Sequence, residues 1–310
     1  MFRKLLLAGA ALAMAAAAPA ASFAKDLKSV GVTVGTLGNP YFVAVGKGVT
    51  DAVRGINPNA KVTISSADYD LNKQFTQIDN FIAAGVDLIL VNAADPRAIL
   101  PAIKRAQAAG ITVVGVDVAA SGADATVQTN NVQAGEIACQ FMAEKIGHKG
   151  NVIIENGPQV SAVIDRVNGC KKVLGQYPDI KVLSSDQDAK GSRDGGLNVM
   201  QGYLTRFPDI QGVFTINDPQ AIGSDLAAKQ LNRSGIVITS VDGAPDIVAA
   251  LKGPTQVQAS ASQDPYAMGK LAVKVGEEIM NGKKPADPMV LMPSHLVTRD
   301  NVDSYPGWTH

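Results

Sequence analysis

The chain has 310 residues, 46% of them apolar, and its 28 basic side chains are balanced by 28 acidic ones. A near-neutral chain with no basic block is not built to hold nucleic acid. The three histidines, His148, His295 and His310, are scattered without paired metal spacing and read as surface residues.

The first residues read as an address. Arg3 and Lys4 precede a run of Leu, Ala and Gly, and Ser22-Phe23-Ala24 offers a small-x-small cleavage site. This is the pattern of a secretory signal peptide, with an apolar run too short for a stable membrane span. Residues 1–24 are therefore expected to be removed after Ala24. Cleavage takes two basic residues away and leaves 26 against 28 acidic ones, a net charge of −2 over 286 residues. That length suggests two domains, and no later stretch is apolar enough to span a membrane.

From there, short Val- and Ile-rich runs alternate with amphipathic stretches. Strands are expected at 30–34, 62–65, 88–91, 111–116, 151–155, 181–184, 212–216, 236–241 and 257–261. Helical patterns cover 41–54, 73–84, 98–109, 134–146, 162–176 and 267–281. This alternation indicates an α/β fold built on parallel sheets. Gly110, Gly147 and Gly235 fall where helices should stop. The small, polar stretch 119–130 separates two sets of strand–helix units and is the candidate crossover between domains.

Each expected strand ends at a polar residue. In order these are Asn39, Asp68, Asn92 and Asp117, then Asn156, Asp186, Asn217, Asp242 and Gln263. Parallel α/β sheets bind ligands beyond the carboxyl ends of their strands. Two facing sheets would line one cleft with Asn, Asp and Gln. Asp68, Asn156 and Asp186 read better as turn and cap residues. Two adjacent aromatics, Tyr41 and Phe42, follow Asn39 in a chain that is only 5% aromatic.

Nine motifs, in order, carry a resemblance over essentially the whole chain after the leader. They are "TLGNPYF", "ILVNAAD", "VVGVDV", "QTNNVQAGEIA", "DRVNGC", "GLNVMQ", "FTINDPQAIG", "TSVDGAPD" and "ASASQDPYAMG". The chain resembles the periplasmic sugar-binding proteins of ABC transporters, in the ribose-binding-protein-like group related to the LacI core. The resemblance implies a type I periplasmic binding fold. This has two doubly wound parallel-sheet lobes joined by three crossings, with the ligand cleft between them. It places one lobe at 25–129 plus 264–291 and the other at 130–263 plus 292–310.

The resemblance also implies a ligand set: Asn39, Tyr41, Phe42, Asn92, Asp117, Arg166, Asn217, Asp242 and Gln263. The chemistry suits a sugar. A flat ring covers the apolar face of C–H groups, with Phe42 favoured over Tyr41 as the platform. Asp accepts from hydroxyls in short charge-assisted bonds, and Asn and Gln meet a hydroxyl in either sense. Arg166 donates in a fixed fork. Two departures stand out. Val118 replaces the Arg that follows Asp117's counterpart in ribose binders, and the aromatic expected from the second lobe falls near Gly191. The pocket is therefore expected to be less basic and less aromatic than a ribose site. The implied function is a monomeric periplasmic receptor that closes on a neutral sugar or polyol and delivers it to an ABC permease. The alternative on the same fold is a signalling receptor for a sugar-like autoinducer, chemoreceptor or sensor kinase.

No enzyme is expected. There is no phosphate loop, no GxGxxG after the first strand and no GxSxG elbow, and no cofactor or metal is implied. Cys139 and Cys170 would reach an oxidising compartment. The matching family positions hold Gly and Phe, so the paired replacement implies a disulfide, with two buried thiols as the other outcome. Trp308, the only tryptophan, lies near the C-terminus and is not relied on as a reporter of the cleft.

Overall fold

The computed structural model describes residues 26–308. The leader, its cleavage site and His310 lie outside the described residues. The first sheet gathers β1 (Ser29–Val34), β2 (Lys61–Ser66), β3 (Leu88–Val91), β4 (Thr112–Val116), β5 (Ala125–Thr129) and β11 (Met289–Met292), in the order β11-β5-β4-β3-β1-β2. The second gathers β6 (Gly150–Glu155), β7 (Ile180–Ser184), β8 (Gly212–Thr215), β9 (Val237–Asp242), β10 (Val257–Ser262) and β12 (Leu296–Thr298), in the order β12-β10-β9-β8-β6-β7. Every pairing is parallel except β10 with β12. The chain passes between the sheets three times: after β5, after β10 and after β11.

The central strands of both sheets are buried along their length. β3 (LILV) and β8 (GVFT) have no exposed residue. Such runs suit a parallel strand covered on both faces by helices. The first sheet carries α1 (Pro40–Ile56), α2 (Leu71–Ala83), α3 (Leu100–Ala108) and α9 (Pro265–Met280). The second carries α4 (Asn131–Lys145), α5 (Ser161–Leu174), α6 (Arg193–Arg206), α7 (Asp218–Gln230) and α8 (Pro245–Lys252).

The α4–α5 pair shows how small residues position the cleft. A Cβ at Gly135 would lie 2.1 Å from the Arg166 carbonyl oxygen, and one at Gly169 would lie 2.3 Å from that of Val132. Each helix thus leaves a gap for the other's backbone, and the close approach sets Arg166 of α5 against Asn131 at the start of α4. The same two helices are joined by a disulfide, Cys139–Cys170, with Cα atoms 5.1 Å apart.

Two expectations are corrected. The stretch 119–130 is not an irregular crossover, because it holds β5, which is buried throughout. β4 and β5 pair in parallel across a short connection without a helix, so the strand–helix alternation gave no sign of it. Gly110 and Gly147 do stand just past helix ends with positive φ of 79° and 68°. Gly235 does not cap α7, since that helix ends at Gln230 and the left-handed position after it is Asn232, at φ 51°. Asp68, Asn156 and Asp186 do serve turns: Asp68 and Asp186 each accept from a nearby serine hydroxyl, and the Asn156 amide donates to the Ser185 carbonyl.

Candidate functional site

The nine expected site residues line one cavity between the sheets. Each reaches it from the carboxyl end of a strand or the first turns of a helix. Asn39 caps α1, its Oδ1 accepting from Tyr41 N at 2.9 Å. Asn217 caps α7 in the same way, accepting from Gln220 N at 3.1 Å. Capping and lining are therefore not rival roles, because the cap fixes the oxygen toward the helix and turns the amide nitrogen elsewhere. The Asn217 amide donates to the Gly191 carbonyl at 2.9 Å.

Two aspartates line this space. Asp117 follows β4 and Asp242 ends β9, and both have positive φ, 70° and 138°. A non-glycine residue held there costs about 1–3 kcal/mol and persists only where its surroundings over-determine it. The hydrogen-bond donors on Asp117 are neutral: the Tyr41 hydroxyl donates to one oxygen and the Asn92 amide to the other, both at 2.8 Å. Asp242 accepts from Gln263 Nε2 at 2.7 Å and has the Arg166 guanidinium 3.6 Å away.

Arg166 is buried and itself held by two bonds of 2.8 Å, to Asn131 Oδ1 and to the Ile216 carbonyl. Gln263 stands at a crossing and ties it to another, its Oε1 accepting from Thr129 at the end of β5 at 2.6 Å.

Burial governs the charges. It raises the Asp117 pKa, against the pull of Arg166, Tyr41 and Asn92. It pushes Asp242 up to about 7 despite Arg166 and Gln263, with Asp117's charge adding to the rise. Asp218 lies behind Asp242 and is held well above the carboxylate range by burial and by Asp242. Its oxygens take the Ser240 and Ser260 hydroxyls and Ala244 N–H, so it braces the turn after β9.

Tyr41 and Phe42 meet edge to face, with ring centroids 5.4 Å apart. The Tyr41 hydroxyl is engaged with Asp117, which leaves Phe42 as the unsubstituted ring on the cavity wall.

Sequence reasoning missed a third ring, Tyr69, in the turn between β2 and α2. It sits at φ 57°, beside Asp68 at φ 52°, and this left-handed pair turns the ring inward. Nothing in "SADYD" marks that conformation. Also missed was the apolar wall of the second lobe, Pro158, Val160, Ala162, Val163 and Ile216. Gly191 lines the cavity with backbone alone, at φ 60°. Val118 is fully buried and packs in the core.

Trp308 is the clearest correction. It is not remote from the site: its indole N–H donates to the Asp242 carbonyl at 3.0 Å, and its ring meets Tyr41 edge-on at 5.8 Å. β12 and the turn after it bring the C-terminus back to the hinge side.

The arrangement offers hydroxyl acceptors on both sides and fixed donors between them. It also leaves one buried acceptor, Asn92 Oδ1, with no hydrogen-bond partner among the described residues. Such an orphan costs about 1–3 kcal/mol until a donor reaches it.

Residues 30–284 match the family described as periplasmic binding protein domain. The chain is 35% identical over 273 residues to the ribose import binding protein of Bacillus subtilis, covering 86% of this chain and 87% of that one. It is 34% identical over 283 residues to the xylitol-binding protein of Mycolicibacterium smegmatis, covering 90% and 79%. An ABC transporter solute binding protein from Mycobacterium smegmatis with bound glycerol superposes with a TM-score of 0.84 at 26% identity, covering 91% of this chain and 98% of that one. The two-sheet architecture, the cleft between the sheets and the match along most of the sequence agree, and the chain belongs to the periplasmic binding protein family of ABC-importer receptors.

Proposed function

We propose that this receptor captures a neutral monosaccharide or polyol of about four to six carbons, closes its two lobes over it, and presents it in the periplasm to an ABC permease. The observation that carries the ligand class is the pairing of Asp117 and Asp242 in one buried cavity with a single guanidinium, Arg166. An anionic ligand would meet two carboxylates and one cation at low dielectric, an unfavourable sum. Hydroxyls suit the same groups.

The relatives support the class, since proteins similar to this chain carry the names of ribose and xylitol receptors, or hold D-allose, myo-inositol or glycerol. The nine cavity residues form the contact set in this reading, with Phe42 as the platform. The lobes divide at 129/130, 263/264 and 291/292. The leader is removed after Ala24, and the receptor works as a monomer.

The test is a thermal-shift panel of pentoses, hexoses and polyols beside sugar acids and amino acids. A tight neutral ligand at about 1,000 times its dissociation constant adds roughly 4 kcal/mol, or several degrees. Shifts from acids or amino acids alone would overturn the assigned class.

A further inference from the structure

The C-terminal segment makes an arrangement that the ligand set above does not include. Two consecutive carbonyls at the end of β9 are each gripped by an aromatic donor. The Trp308 indole N–H donates to the Asp242 carbonyl at 3.0 Å, and the Tyr305 hydroxyl donates to the Gly243 carbonyl at 3.1 Å. The gripped turn is the strained one, with Asp242 at φ 138° and Gly243 at φ 69°. A Cβ at Gly243 would lie 2.4 Å from the Tyr305 oxygen, so the turn and the segment are fitted closely.

The other side of Trp308 faces the first lobe. Its ring meets Tyr41 at 5.8 Å and packs on the apolar cluster around β1, α1 and α9. Tyr41 in turn donates to Asp117 at 2.8 Å. One side chain thus touches the backbone of the second lobe's carboxylate and the ring that holds the first lobe's carboxylate.

We propose that Tyr305 and Trp308 form a clamp across the hinge side of the cleft, and that Trp308 is a positioning residue for ligand binding. It fixes Asp242 through its backbone and Asp117 through Tyr41. The physical reason is pre-organisation. A strained turn that relaxes in the free protein must be rebuilt at each binding event, and that cost appears as lost affinity. The inference rests on the cavity being the ligand site. It has its own readout because the chain contains one tryptophan. Tyr41 also reaches Gln263 Oε1 at 3.3 Å, on a crossing, so its contact with Trp308 lies beside the hinge.

The experiment uses the full mature chain with D-ribose, xylitol, D-allose and myo-inositol as probes, taking forward whichever raises the wild-type melting temperature most. With that probe at saturation, the emission of Trp308 should shift. Trp308→Phe keeps a ring but deletes the donor. It should raise the dissociation constant about tenfold, through a faster off-rate with the on-rate within about twofold. Tyr305→Phe should act in the same direction.

A merely structural role would lower the melting temperature without touching the off-rate or the emission. An unchanged emission, or an unchanged off-rate in Trp308→Phe, overturns the clamp. If no probe shifts the wild type, the ligand class proposed above fails, and the clamp is judged without ligand by acrylamide quenching. Tyr41→Ala should expose Trp308 to the quencher, and unchanged quenching overturns the proposal.

Discussion

The two lobes repeat one plan with different chemistry. Each presents an aspartate at the carboxyl end of a parallel strand, at positive φ, lining the shared cavity. The first lobe surrounds Asp117 with neutral donors and supplies the rings Tyr41, Phe42 and Tyr69. The second sets Asp242 against Arg166, with a further buried acid, Asp218, behind it, and replaces rings by an apolar wall and the bare backbone of Gly191. The first lobe is built to offer a ring face and acceptors without a buried ion pair. The second carries the cavity's guanidinium together with two buried acids whose protonation its surroundings disfavour losing. Affinity should therefore depend on both lobes, and its pH sensitivity chiefly on the second.

The largest expected effect removes either half of the pair. Asp117→Ala and Asp242→Ala should each lose most of the ligand-induced rise in melting temperature while staying folded. A full shift retained in both variants would dissolve the comparison.

Next is the disulfide, which belongs to the second lobe alone. Replacing Cys139 and Cys170 by alanine should cost about 4 kcal/mol in the chain-entropy account of a loop of this length, read as a lower denaturant midpoint. Two free thiols in denatured, unreduced periplasmic protein would contradict the bridge.

The pH predictions fall on the second lobe. Glu155, buried at the end of β6, is pushed up to about 8 by burial, against hydrogen bonds from Ser224 and Gln220. With Asp242 up to about 7, the native state holds protons that the unfolded chain releases near pH 4. Ligand-free stability should therefore fall as pH rises from about 4 to 8 and level off above. Glu155→Gln should flatten this slope and be more stable than wild type near pH 9. An unchanged slope would remove Glu155 from the account. Ligand hydroxyls donate to ionised Asp242, so affinity should rise as pH passes through about 7. Equal dissociation constants at pH 6 and pH 8 would show that Asp242 is not titrating in the site.

The fold was legible where local pattern and tertiary role agree. β3, β4 and β8 announce themselves as apolar runs, and their end residues lead to the cleft. β5, β11 and β12 were not legible. β5 follows β4 across a short connection with no helix between them, β11 pairs with β5 from far along the chain, and β12 is only three residues long. The crossings after β10 and β11 were implied only by the resemblance.

In the site, residues with polar groups at strand ends could be named in advance. Tyr69 could not, because its direction depends on a left-handed turn, nor could Gly191, which acts through absence of a side chain. Trp308 was passed over because distance along the chain says nothing about a C-terminus that folds back to the hinge.

The account's central claim is that ligand is held between the lobes by both at once. Small-angle scattering of the mature protein, with and without a saturating amount of the sugar or polyol that stabilises it most, tests this directly. Contacts divided between Asp117 in one lobe and Arg166 and Asp242 in the other favour the closed state. The account predicts a smaller radius of gyration with ligand, and no such change in Asp242→Ala. An unchanged radius of gyration in the saturated wild type would contradict it.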